Sequence, residues 1–154
     1  METIIKKLSI KNEMAEQLKK FTISKAVYDP YNQNLSLKIK GPESIPFTTY
    51  LGLKQALIRY LKTDVELVLE AKRCHLDFMN LEQYVAYCAR KSNLDAIQQV
   101  SLFINGDIRL LCLNEEHEKR VIKQIPTLEK ALKECGITLP ISAMTQKHEV
   151  NEKD

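Results

Sequence analysis

The chain has 154 residues, of which 44% are hydrophobic and 28% are charged, so it can form one globular core or two small lobes. Its net charge of +3 comes from 23 basic and 20 acidic residues, which argues against a dense phosphate-binding surface that holds duplex DNA by charge alone. No segment has the length and hydrophobicity of a bilayer span, and the first residues lack a signal-peptide core. We therefore expect a cytoplasmic protein with no membrane partner.

Apolar periodicity and turn residues predict helices and strands along most of the chain. The first part is predicted to contain a short helix (12–20), a hairpin (21–28 and 35–40), a helix (47–62) and a strand (65–71). The second part is predicted to contain a helix (79–91, capped by Asn80), a hairpin (100–113, turning at Asn105-Gly106), a long helix (Asn114 to Gly136) and a strand (137–142). Pro126 is expected to kink or restart the long helix, because proline removes an amide donor.

Apolar residues on one stripe of two predicted helices are expected to be buried. They are Leu53, Leu57, Tyr60 and Leu61 in the first helix, and Val121, Ile122, Ile125, Leu128, Leu132 and Cys135 in the second.

The same order of elements, hairpin then helix then strand, occurs twice. This order predicts an α+β fold of two such units, which suggests a pseudo-repeat, with antiparallel or mixed sheets and helices on one face. We predict a first lobe over residues 1–73, a second lobe over 74–145, and a flexible polar tail over 146–154.

The four cysteines suggest either a metal or disulfide site or buried thiols. They are Cys74, Cys88, Cys112 and Cys135. No C-x-x-C motif is present, and the spacing from Cys112 to His117 has no matching second pair. Buried reduced thiols are therefore favoured, and we expect no metal.

Few acidic or histidine residues have the spacing of a catalytic site. Asp64 and Glu66 alternate on a predicted strand, as paired carboxylates of metal-dependent nucleases do, but no further acids follow in a suitable place. A solvent-facing strand is the favoured interpretation. His75, His117 and His148 are predicted to lie in a linker, a polar helix turn and the tail, without a nearby nucleophile motif. We predict no catalytic residue.

Binding motifs for phosphates and nucleotides are absent from the sequence. The four glycines form no P-loop, no G-x-G-x-x-G and no G-x-x-G, so no nucleotide cofactor or small-molecule ligand is expected. Two basic helix faces are candidate nucleic-acid contacts: Lys54, Arg59 and Lys62, and Lys119, Arg120 and Lys123. Tyr50, Tyr84 and Tyr87 are candidate stacking residues, although their helical spacing favours a place in the core.

The order and spacing of four segments resemble the N-terminal region of the PolC-type DNA polymerase III alpha subunit. These are Phe21 to Val27 with Asn34 to Ile39, Ile45-Pro46-Phe47-Thr48-Thr49-Tyr50, Asn105 to Leu111, and Ile125 to Ile137. The resemblance covers most of residues 1–144. Family members often have a tryptophan or other aromatic residues in the second strand of the first hairpin. This chain departs from that pattern, because it contains no tryptophan.

The resemblance implies a non-catalytic module that docks other replisome proteins. In that family the region precedes a nucleic-acid-binding OB fold, an exonuclease and the polymerase proper, and no catalytic motif of theirs matches a position here. We therefore expect any polymerase activity to belong to the rest of a longer protein. Three hypotheses remain: a replisome docking module, a module that binds single-stranded nucleic acid through its basic helix faces, and a small metal-dependent hydrolase using Asp64 and Glu66.

Overall fold

Two units, each with its own three-stranded mixed sheet, make up residues 1–145, the part of the chain that the computed structural model describes. Unit 1 consists of residues 1–76 and 133–137. Unit 2 consists of residues 77–132 and 138–145. The predicted flexible tail over 146–154 lies outside the described residues.

Unit 1 contains three helices and the first sheet. Its elements are α1 (Glu2–Lys7), α2 (Asn12–Leu18), β1 (Thr22–Asp29), β2 (Asn34–Glu43), α3 (Phe47–Leu61) and β3 (Asp64–Arg73). The strand order is β1-β2-β3, with β1 antiparallel and β3 parallel to the central β2. A parallel neighbour requires a crossover connection, and α3 provides it.

The core of unit 1 forms on one face of its sheet. Alternate residues of β2 and β3 lie in register on this face, as in the pairs Leu37–Leu67 and Ile39–Leu69, and all four are buried. Tyr50 and Leu53 of α3 and Leu18 of α2 are also almost completely buried. The Tyr50 hydroxyl donates to the Leu67 carbonyl at 3.1 Å, which satisfies its polar end inside the core.

Unit 2 has the same connectivity. Its elements are α4 (Phe78–Lys91), a 3-10 turn (Ile97–Gln99), β4 (Ser101–Ile104), β5 (Ile108–Cys112), α5 (Glu115–Lys133) and β6 (Ile141–Thr145). The strand order is β4-β5-β6, with β4 antiparallel and β6 parallel to the central β5. The predicted α+β class, with two hairpin–helix–strand units and mixed sheets, is confirmed.

Both α-helices of unit 2 begin at a residue whose side chain caps the first turn. The Asn114 side chain accepts the backbone N–H of His117 at 2.8 Å, which confirms the predicted cap of α5. At α4 the prediction was wrong, because Asp77 and not Asn80 is the cap. The Asp77 carboxylate accepts the Asn80 N–H at 2.9 Å, and this bond lowers the pKa of Asp77.

Two predictions in unit 1 were wrong for local reasons. β2 continues through Gly41-Pro42 instead of ending at Lys40, because its pairing with β1 stops at Lys40 and Pro42 removes no hydrogen bond there. Tyr60 and Leu61 are exposed, not buried. They lie in the last turn of α3, just before β3 begins at Asp64 beside the first residue of β2. α1 was not predicted from the sequence.

Two predictions about the long helix and the strand after it were also wrong: the burial of Ile122 and the start of the last strand. α5 does not restart at Pro126 but continues as one helix from Glu115 to Lys133. The carbonyl left without a donor belongs to the exposed Ile122, which was predicted to be buried and instead faces solvent. The last strand begins at Ile141 rather than Ile137, because residues 133–137 join the sheet of unit 1 at Leu69.

Within residues 1–145, none of the helices combines the length and apolar character that crossing a membrane requires.

Candidate functional site

The carboxylates of Asp64 and Glu66 are both exposed on β3. Among the described residues, no three histidine, cysteine, aspartate or glutamate side chains come together in a group suited to a metal ion. The solvent face of this strand instead carries an ion-pair cluster, in which Glu70 approaches Lys38 at 3.9 Å and Lys40 at 3.5 Å. These exposed pairs contribute little to stability.

All four cysteines are free thiols, and Cys88, Cys112 and Cys135 are buried. Burial, and secondarily the charge of Glu118, raises the pKa of the Cys112 thiol, which favours its protonated, unreactive form. Cys74 is partly exposed.

One histidine lies in a different environment from the predicted one. His75 is exposed, and its Nδ1 atom lies 3.4 Å from Oε2 of Glu43. His117, predicted in a polar helix turn, is almost completely buried and contacts two backbone groups of unit 2. His148 lies outside the described residues.

Exposed aromatic residues are not those predicted to stack on bases. Tyr50 and Tyr84 are buried in their units, while Tyr28 and Tyr60 of unit 1 are each 55% exposed. Tyr60 lies on the last turn of α3 between Arg59 and Lys62, two residues of a predicted basic face. This turn therefore combines a ring and two cations.

Among the described residues, no strand pairs with the outer side of β1, so the first sheet has an open edge there. On the opposite edge, the Leu69 N–H of β3 donates to the Glu134 carbonyl at 2.8 Å, so part of β3 is covered by the segment 133–137. β1 is the other edge strand. Seven of its eight residues are exposed.

The hydrogen-bond pattern shows which groups of β1 point outward. The Asp64 N–H donates to the Gln33 carbonyl, whereas Leu67 and Leu69 bond away from β2. Even-numbered residues of β3 therefore face β2, and even-numbered residues of β2 face β1, because backbone groups alternate sides along a strand. Ser36 of β2 faces β1, where its partner is Val27, so Val27 directs its backbone groups toward β2. Its neighbours Ala26 and Tyr28 therefore direct their N–H and C=O groups to the open edge.

The side chains of β1 make this edge apolar on both faces. Ile23, Val27 and Tyr28 are 41%, 48% and 55% exposed. Tyr28 lies on the same face as Leu35, and Val27 on the other. A bulge between Ile23 and Lys25 interrupts the strand near its start, so the regular free edge is residues 26–29.

No family model matches the sequence, and a search of curated proteins finds no significant relative.

β1 was predicted from the sequence, but its edge was not identified as a site. Local pattern predicts only that a strand forms, and which strand lies at an edge depends on pairing between distant segments. The available signal was the pair Val27-Tyr28, two large apolar residues side by side, of which one must face away from the core in any strand.

Proposed function

We propose that this chain is a non-catalytic accessory module of a bacterial replicative DNA polymerase, which docks other replisome proteins in the cytoplasm. The ordered resemblance to the PolC-type N-terminal region supports the replication setting. The observation that carries docking is the apolar open edge of β1. There Ala26 and Tyr28 point their backbone groups away from β2, next to the exposed side chains of Val27 and Tyr28. Polymerase and proofreading chemistry would then belong to other parts of such a polymerase.

An edge of this kind recognises a partner by strand addition. An extended segment of the partner pairs its backbone with the edge strand, and its alternate side chains contact the residues flanking that edge. Natural proteins usually protect long apolar edges, because such edges pair with other chains. Here the protection, a bulge and Lys25, covers only the start of β1.

Replacing Ala26 by proline is expected to weaken partner binding about tenfold or more. Proline removes the Ala26 N–H, which points outward, and its ring blocks the edge, while the ladder between β1 and β2 keeps its bonds. The measurement is a pull-down of purified replisome subunits by the full chain at low and moderate salt, followed by titration of any subunit that is recovered.

Ala26→Val is the matched control, because it keeps the backbone donor and suits a strand. It should bind as the wild type does, and both variants should unfold cooperatively. Equal binding by the proline variant would show that β1 is not the docking edge. Recovery of no subunit at either salt concentration would contradict the replisome assignment itself.

A second candidate function is the binding of single-stranded nucleic acid, and the exposed last turn of α3 favours it. Tyr60 offers a face for stacking, and Arg59 and Lys62 offer charge for phosphates. Affinity for oligothymidylate should then fall steeply between about 50 and 200 mM salt. The logarithm of the binding constant should fall linearly with the logarithm of the salt concentration, because binding releases counterions. Tyr60→Ala should weaken it by about 1–3 kcal/mol in fluorescence anisotropy titrations.

The control for this candidate is Tyr31→Ala, which removes a tyrosine that is 96% exposed in the hairpin turn and leaves α3 intact. Similar losses in both variants, or binding that salt does not change, would count against a site on α3.

A further inference from the structure

Unit 2 contains a groove of about 500 Å³ between α4 and the edge strand β4. Its volume lies within the range of pockets that bind ligands, about 300–1,000 Å³. α4 forms one wall, and Val100, Ser101 and Leu102 lie along the other. Two buried residues of α4, Val85 and Ala89, form part of an apolar floor.

The wall made by β4 is a strand edge with which no other strand of residues 1–145 pairs. The Ile108 N–H donates to the Pro140 carbonyl at 2.8 Å, so Ile108 and Leu110 direct their backbone groups toward β6. Arg109 and Leu111 therefore face β4 and bond to Phe103 and Ser101. It follows that Leu102 points its N–H and C=O outward, while its side chain lines the groove.

Two side chains of opposite charge lie on the wall of the groove that α4 forms. Glu82 and Arg90 both line the groove and lie just over two turns apart on α4, about 12 Å along its axis. Neither forms an ion pair with another of the described residues, 1–145. In an extended chain, residues four apart face the same way and are separated by about 13 Å. The spacing of the two charges thus matches positions i and i+4 of a strand.

We propose that this groove binds an extended peptide segment of another protein as a fourth strand on β4. The segment carries a basic residue opposite Glu82, an acidic residue opposite Arg90, and between them an apolar residue that contacts Val85, Ala89 and Leu102. This site is separate from the edge of β1, and the proposal does not depend on a role in replication. The backbone supplies affinity, and the charges and apolar floor supply selectivity.

The test uses capped seven-residue peptides and the full chain labelled with ¹⁵N. The first peptide has lysine, valine and glutamate at its second, fourth and sixth positions and threonine elsewhere. Two others carry lysine or glutamate at both charged positions. We expect amide shifts at Leu102 and Ile104, and binding of the mixed-charge peptide about tenfold tighter than of either like-charged peptide.

Two controls separate this site from a general apolar contact. N-methylation of the peptide at alternate residues removes the donors for β4 and should abolish binding. Arg90→Glu, an exposed change on α4, should transfer the preference to the doubly basic peptide. Peptide binding that is indifferent to N-methylation or to Arg90→Glu would overturn the proposal, as would the absence of any shift at millimolar peptide. Dimerisation of the chain through β4 in sedimentation experiments would instead assign the groove to a second copy.

Discussion

Replacing Gly136 by alanine should lower the free energy of unfolding by about 3 kcal/mol, the sum of two separate costs. Gly136 has a φ of +85°, where a side chain costs about 1–2 kcal/mol. An added Cβ would also overlap Leu69 Cδ2 and lie 3.4 Å from the Ala71 Cβ, both within unit 1. Overpacking of a well-filled core costs about 1–3 kcal/mol. The measurement is urea unfolding monitored by circular dichroism.

Gly106 provides a matched control for this prediction. Its φ is +77°, close to that of Gly136, but nothing lies within 4 Å of an added Cβ. Gly106→Ala should therefore show only the backbone cost, about 1–2 kcal/mol. The difference between the two variants measures the overlap with Leu69. Equal losses would mean that the sheet moves aside at no cost, and that Gly136 is required only for its conformation.

Gly136 also illustrates what local sequence predicts. The glycine itself indicates a left-handed turn after the long helix, since helices commonly end this way. The contact with Leu69 was not predictable, because it joins residues far apart in the chain. The same distinction explains the last strand. Ile137 was assigned to it on local pattern, while in the structure Ile137 belongs to the segment 133–137, which bonds to β3 at Leu69.

Elements with strong local signals were placed well. The hairpin turn at Asn105-Gly106 and the cap at Asn114 depend on residues within a few positions, and both are confirmed. The open edges of the two sheets were not found from sequence. Tyr28 and Tyr60 are large aromatic residues of a type often found in cores. Only the order of the strands and the position of Tyr60 at the end of α3 show that they are exposed.

Replacing His117 by alanine should destabilise unit 2 by about 3–4 kcal/mol, the second large effect that we expect. The ring is 1% exposed. Its Nδ1 accepts the Leu113 N–H at 2.9 Å, so the proton lies on Nε2, which donates to the Ala96 carbonyl at 2.8 Å. Alanine leaves a cavity and two buried backbone groups without partners. The thermal midpoint should fall by roughly 6–16 °C.

Two further substitutions identify the cause of this loss. His117→Phe refills most of the volume but accepts and donates nothing, so it should still lose about 2–4 kcal/mol for the two unpaired backbone groups. His75→Ala removes an exposed imidazole from unit 1 and should change stability by less than about 0.5 kcal/mol. If His117→Phe is about as stable as the wild type, then His117 contributes to stability through packing and not through its two hydrogen bonds. Faster hydrogen exchange at the Leu113 amide in both His117 variants would locate the defect at the junction of β5 and α5, where the buried ring replaces a backbone partner.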